Sequence, residues 1–458
     1  MKKIVVFLLI AIMAFTMVSC SSSEEETFDV DFDANGGSNG YDFNGYEVLL
    51  IGAWNPQNGD SSIGDMMVER YKEIEKEFNV KLTFQNIVYG FSGTLLSRIM
   101  AGEKYCDIML ARLNDMSYCV SSGLLFSFND NGVFDVKDSK FGEGSLKETA
   151  MFNTEDYYGL YPTYWPYMDI SINGQCLISY QVIRENNQPD PYELLENHEW
   201  NWENFEKICV AVTNKDEGKY GVTTEHDEML NSVFFMDNID LVRYNEQADR
   251  WVTDFTSPAA VDAAEWVSGL VEKGVVYHWG SSDSKTGAQS IFASGLSAFH
   301  VGPGYFGVGL NPIPTLEEGF GFIPMAFGPN NPDEIWNAKF DARQQYYCVP
   351  YTDNNDALIS CVVLDRMFDE LGTGYDWKSY YSTYVFMDDN SASCFIKMVD
   401  EASNSYFNMI GRPQLDSFNS IMRGGSPAQN IEKMSSTINA LLDESFNVGQ
   451  GVAKNVVW

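Results

Sequence analysis

Directly after the apolar run CDIMLA, the chain sets Arg112, Asn114 and Asp115 almost side by side. A guanidinium, an amide and a carboxylate so grouped can hold a polar solute through charge-assisted hydrogen bonds. Trp54 stands just after an earlier apolar run, Val48–Ile51, and offers a flat apolar face. The stretch YYGLYPTYWPY, residues 157–167, holds six aromatics in eleven positions with two prolines and fits neither helical nor strand periodicity. It reads as a crossing between lobes whose Tyr161, Tyr164 and Trp165 either face a ligand or pack at a lobe interface. GPGYFG, residues 302–307, matches the G-x-G-x-x-G spacing, but the prolines of the following VGLNPIP deny the helix N-terminus that would hold a pyrophosphate. What survives is a loop bringing Tyr305 and its backbone toward a ligand, or a plain tight turn.

Other chemistries find little support. GLSAF, residues 295–299, lacks the last glycine of a nucleophile elbow, and among 65 acidic residues the nearness of two carboxylates in sequence says nothing. The four histidines (198, 226, 278 and 300) form no H-E-x-x-H cluster. After Cys20, the seven cysteines at 106, 119, 176, 209, 348, 361 and 394 contain no C-x-x-C pair and read as buried small apolar residues. DVDFDANGG, from Asp29, opens like a calcium loop but has Ala34 where the turn needs glycine and Gly40 where the bidentate ligand belongs. No catalytic residue, metal or cofactor is therefore assigned. A formal charge of −36 disfavours nucleic acid and anionic bilayers as partners of a basic surface.

Regular elements must position these residues. The run at Val48–Ile51 reads as a strand buried on both faces. Ser62 and Asp65 have capping-box spacing for a helix whose stripe Met67, Tyr71, Ile74 and Phe78 opposes Glu69, Arg70, Lys72, Glu73 and Lys76. NVKLTF is a second strand, SGTLLSRIMAG a short helix, and CDIMLA a third strand. That order implies a parallel sheet with right-handed crossovers, and such sheets bind ligands at the carboxyl ends of their strands. Trp54, Arg112, Asn114 and Asp115 all fall there. A second α/β stretch follows, with a helix at NWENFEKICVAVT whose Trp202 reads as core packing after an Asn201 cap, and another from Ser257 and Pro258 to Gly274. From about residue 377 the chain reads as mainly helical.

The N-terminus has its own logic. Lys2 and Lys3 precede an apolar run, Ile4–Phe15, that at about a dozen residues is too short to span a bilayer of roughly 30 Å and reads as a removable signal. The residues around Cys20 resemble a bacterial lipoprotein processing site, with Met17 where Leu is usual. Residues 21–45, rich in Ser, Gly, Asn and acid, read as a flexible leash.

Taken together, VLLIGAW, MVERYKEIEKEFNVKL, LLSRIMAGEKYCDIMLA, EWNWENFEKI, FTSPAAVDAAEWVSGLVEKGVV, IFASGLSAFHVGPGYF and FGFIPMAFGPN resemble, in order and spacing, the extracellular solute-binding proteins of ABC importers. The resemblance is to the group that includes carbohydrate binders and spans roughly residues 45–365. It implies an α/β, two-lobed, periplasmic-binding-protein-like (type II) fold with a hinge and an interlobe cleft. The expected parts are a signal (1–19), a lipidated Cys20 with its linker (20–45), one lobe from 46–156 and 319–385, and a second from 157–318 and 386–458. It further implies a monomeric, non-enzymatic receptor with no cofactor, lipid-anchored on the extracellular face of the cytoplasmic membrane, passing a sugar or oligosaccharide to permease subunits. Sugars suit aromatic plates and a few hydrogen-bonding groups. Trp54 and Tyr305 are then the plates, and Asp107, Arg112, Asn114 and Asp115 the hydrogen-bonding set, with Asp107 equally readable as structural. Tyr161, Tyr164 and Trp165 would line the hinge side. A lipid-anchored glycoside hydrolase and a receptor for a non-sugar solute such as a peptide are the alternatives.

Overall fold

Strand β1 (Tyr46–Ile51) runs parallel to both β2 (Val80–Gln85) and β3 (Ile108–Arg112), which explains its unbroken apolar run: Val48, Leu50 and Ile51 are buried. In this computed structural model the described residues are 40–59, 61–87, 92–152, 155–165, 170–279, 287–302, 319–351, 354–404 and 414–443, all within the unit Gly36–Trp458. A fourth strand, β13 (Gln345–Cys348), joins β3 antiparallel and gives the sheet order β13-β3-β1-β2.

Between β1 and β2 runs helix α1 (Ser62–Phe78), which buries the expected stripe of Met67, Tyr71, Ile74 and Phe78. Its cap is Ser61, one residue earlier than the spacing suggested: the Gly64 N–H donates to Ser61 Oγ at 2.9 Å, while Asp65 accepts from the Gly59 N–H at 2.7 Å. Arg70 also departs from expectation. Instead of facing solvent it is buried and donates to the carbonyls of Arg366, Asp369 and Glu370, at and just beyond the end of helix α8 (Asn354–Met367). The Arg366 carbonyl, in the last turn, lacks a helical partner and lies at the negative end of the helix dipole, so a guanidinium satisfies both needs. Helices α2 (Ser92–Met100) and α3 (Leu113–Ser121) flank β3 in sequence.

The second sheet has the order β11-β5-β10-β6-β9. Its β6 (Tyr220–Glu225), β9 (Val276–Trp279) and β10 (Ser297–Val301) are parallel, whereas β5 (Gln175–Ser179) is antiparallel to both β10 and β11 (Phe320–Pro324). Helix α4 (Trp202–Val212) starts on Asn201 as expected, and the Trp202 ring stacks on Trp266 at 4.4 Å. Helix α6 (Pro258–Lys273) has Ser257 as cap and ends on left-handed Gly274. Helix α5 (Glu228–Met236) follows β6.

The chain passes between the two sheets through a third, small sheet, β14-β12-β4. It leaves through β4 (Ile172–Asn173), turns at Gly174 into β5, and returns through β12 (Lys339–Phe340) into β13. Strand β14 (Ser403–Asn404) completes it, coming from helix α9 (Asp389–Glu401). One boundary moves as a result. The expectation placed residue 319 onward with the first lobe, yet β11 hydrogen-bonds to β5 of the second sheet, so the return begins only after Pro324.

Candidate functional site

Leu50 pairs with Ile108 and Ile51 with Met109, so Trp54 and Arg112 leave neighbouring parallel strands at the same carboxyl edge. The backbone of Trp54 is fixed there by Tyr71, whose hydroxyl donates to the Trp54 carbonyl at 2.8 Å. Its half-buried ring lies against the start of α1, since a Cβ on Gly64 would sit 3.6 Å from Trp54 Cζ2. Arg112 is half-buried beside Gln345 of β13. Asn114, exposed, and Asp115, buried, occupy the first turn of α3, where the N–H groups of Leu113 and Asn114 donate to the carbonyls of Gln344 (2.9 Å) and Ala342 (3.4 Å).

Asp107 lies at the other end of the sheet. It precedes β3, and five residue steps at about 3.3 Å each lie between it and Arg112. Its carboxylate accepts from the Leu49 N–H (2.7 Å), Tyr46 Oη (3.0 Å) and Lys104 Nζ (2.6 Å), and its side chain is fully buried. Burial outweighs the Lys104 partner and pushes its pKa up. These contacts clamp the amino edge of the sheet. Tyr161 and Trp165 are buried in an aromatic core: Tyr161 meets Tyr346, and Trp165 meets Tyr347 (5.9 Å) and Phe368 (5.1 Å) edge-on. The half-buried Tyr164 has its hydroxyl 3.3 Å from Ser139 Oγ. Of the aromatic crossing, Leu160 forms an antiparallel bridge with Tyr347, so the segment adds to the β13 edge. Tyr305 and Cys20 lie outside the described residues.

The carboxyl edge of the second sheet carries polar residues that the sequence reading missed. Strand β6 ends at Glu225, His226 takes a left-handed φ of 45°, and Asp227 and Glu228 open α5. Glu228 is buried and joins both crossings: Asn173 Nδ2 of the outgoing strand donates to its Oε2 at 2.7 Å, and Arg343 of the returning segment donates to its Oε1 at 2.9 Å. Arg343 also forks onto Asp341 at 2.5 and 2.8 Å. Asp227 Oδ2 accepts from Asn231 Nδ2 (3.1 Å) and Gln414 Nε2 (2.8 Å), and Gln175 Nε2 donates to the Gly302 carbonyl at 2.7 Å. The same segment, 341–345, thus binds Glu228 on one side and the main chain of Leu113 and Asn114 on the other. The rule that ligands meet strand ends pointed to TTEHDEM as much as to Arg112. Against 65 acids it gave no way to single these residues out.

Gly302 follows β10 where no side chain fits: a Cβ would lie 2.3 Å from His300 Nε2. His300 is buried, with Nδ1 2.9 Å from Thr223 Oγ1, and burial pushes its pKa down to about 4. The sign follows. Between its ordinary value near 6.5 and about 4, the unfolded chain takes up a proton that the folded chain refuses, so this contribution is present above that window and is lost as pH falls through it. The loss is on the order of 3 kcal/mol. Urea titrations at pH 7 and pH 4 should show His300→Gln less acid-sensitive than the parent, and an unchanged pH slope would remove His300 from the account.

No family model and no curated relative matches the chain. Solved structures do. The GacH receptor of Streptomyces glaucescens, known unliganded and with acarbose, is 14% identical with a TM-score of 0.58, over 87% of this chain and 99% of its own. UgpB from Mycobacterium tuberculosis, in complex with glycerophosphocholine, is 14% identical at 0.59, over 87% and 98%. The cyclic α-maltosyl-1,6-maltose binding protein of Arthrobacter globiformis is 10% identical at 0.59, over 87% and 100%. The chain has the two-lobed fold of the ABC solute-binding proteins. The crossings at Gly174 and Asp341–Gln345 are where the chain passes between the two large sheets.

Proposed function

We propose that the protein is a membrane-tethered extracellular receptor that captures a sugar or oligosaccharide between two lobes and hands it, unaltered and as a monomer, to an ABC importer. The supporting observation is the match over 87% of the chain to sugar-binding receptors, together with a polar cluster that links both strand edges through Arg343 and Glu228. Trp54 supplies an aromatic plate, with Tyr305 as its expected counterpart. Arg112, Asn114 and Asp115 supply first-lobe polar contacts, and the half-buried Tyr164, between the buried Tyr161 and Trp165 in sequence, is the crossing's candidate contact. Asp107 holds the far edge of the sheet and acts on the site through β3.

Only a ligand that binds the closed state better shifts the equilibrium toward it. A neutral oligosaccharide at a hundred times its Kd should stabilise the mature chain by about 2.7 kcal/mol, seen as a rise in melting temperature, and should shrink the radius of gyration without forming product. Stabilisation by peptides alone, or turnover of the saccharide, would overturn the reading in favour of a peptide receptor or a hydrolase. The tether has a separate check. Cys20→Ala should move the protein from the membrane fraction to the soluble one, and retention in the membrane would refute the lipid anchor.

A further inference from the structure

Asn173, Gln175, Asn231 and Gln414 each expose 2% or less of their surface. In every one the amide NH2 is engaged by an oxygen with no proton to return: Glu228 Oε2 for Asn173, the Gly302 carbonyl for Gln175, and Asp227 Oδ2 for both Asn231 and Gln414. Amide oxygen and nitrogen are ordinarily interchangeable in a structure. Here a flip would press a carbonyl oxygen against a carboxylate or another carbonyl, so chemistry fixes all four orientations. What remains on each is its carbonyl oxygen, buried and without a hydrogen-bond partner among the described residues. The Thr224 hydroxyl at the end of β6 is in the same condition and can serve either way.

Buried acceptors without donors are destabilising, and native proteins tolerate few of them. Four of them beside the carboxyl edge of the second sheet, where the receptor reading places the solute, point to a ligand that brings the missing protons. The neighbouring charges agree: Asp227, Glu228 and Asp341 carry three carboxylates, and Arg343 is engaged by two of them. We infer that this wall grips the solute through the solute's own hydrogen-bond donors, so that the cargo is a neutral or amino-bearing saccharide and anionic ones such as uronates are refused. The inference rests on the receptor reading above and adds the polarity of the contact.

Calorimetry on the mature chain with neutral, amino- and uronic-acid trisaccharides tests it. A neutral or amino sugar should bind at least about 100-fold more tightly than a uronate, and the two arms tell a hydroxyl donor from an ammonium. Gln175→Met and Gln414→Met, checked for folding by circular dichroism, each remove one acceptor and should weaken that binding about tenfold. Asp227→Asn offers an NH2 that lets Asn231 and Gln414 turn over, and should narrow the gap to the uronate. A uronate that binds as tightly as its neutral counterpart, or methionine variants within twofold of the parent, overturns the inference while leaving a solute receptor intact. Should only a non-sugar amine bind, the sugar reading falls and the donor assignment stands if Gln175→Met still weakens it. Should no probe bind, both fall.

Discussion

Arg343→Ala is expected to cost about 3–5 kcal/mol of stability, the range for breaking a buried ion pair by removing one partner. Two carboxylates depend on this guanidinium: the side chains of Glu228 and Asp341 are 1% and 3% exposed, while Arg343 itself is 22% exposed. Deleting the cation leaves both charges in a medium that solvates them poorly, and the loss is mostly that penalty rather than the worth of the pair. Two companions separate the causes. Arg343→Lys keeps the charge but not the planar fork, so it should recover only part of the loss. Arg343→Ala combined with Glu228→Gln removes one stranded charge and should be more stable than Arg343→Ala alone. Urea denaturation of all three measures this, and a single-variant loss below about 1 kcal/mol would show that water already reaches the pair.

The sequence conveyed the first half of this site and not the second, for reasons that individual residues make plain. Val48–Ile51 is an unbroken apolar run and the Met67, Tyr71, Ile74, Phe78 stripe follows a period of 3.6, so the parallel β1-β2-β3 core and the edge bearing Trp54 and Arg112 could be read directly. Arg70 defeated the same reasoning because its partners, the carbonyls of Arg366, Asp369 and Glu370, lie some 300 positions away. Asp107 was open to two readings, as a hydrogen-bonding candidate implied by the resemblance and as a structural residue of the CDIMLA strand. Which end of the strand it occupies, and hence its role with Tyr46 and Lys104, depended on where β3 begins. Tyr161 and Trp165 followed the commoner fate of aromatics, because Tyr347 and Phe368, invisible as neighbours in sequence, enclose them. The cluster of Asp227, Glu228, Arg343 and Gln414 is built from three segments far apart in sequence. No local pattern encodes it.

Those crossings make Gly174 the second position of large effect. Its φ of 109° lies where L side chains rarely go, and it divides β4 of the small sheet from β5 of the second. The turn is held from both sides: the Gly174 N–H donates to Ser232 Oγ at 3.2 Å, and its carbonyl accepts from the Met325 N–H at 2.7 Å. A Cβ there would stand 2.6 Å from Met236 Cε and 3.6 Å from Ala338 Cα. The methionine tip can swing aside, whereas the backbone cannot relax without breaking those two bonds. Gly174→Ala should therefore cost about 2–4 kcal/mol, combining backbone strain with modest overpacking. Gly372→Ala is the control for conformation alone, since Gly372 has φ of 75° with nothing within 4 Å of the added methyl. It should cost about 1–2 kcal/mol. Because Gly174 adjoins Asn173 and Gln175, the variant should also weaken saccharide binding, whereas Gly372→Ala should not. Equal losses in the two variants would mean that the crossing is looser than its hydrogen bonds indicate, and that Gly174 is only one more turn residue.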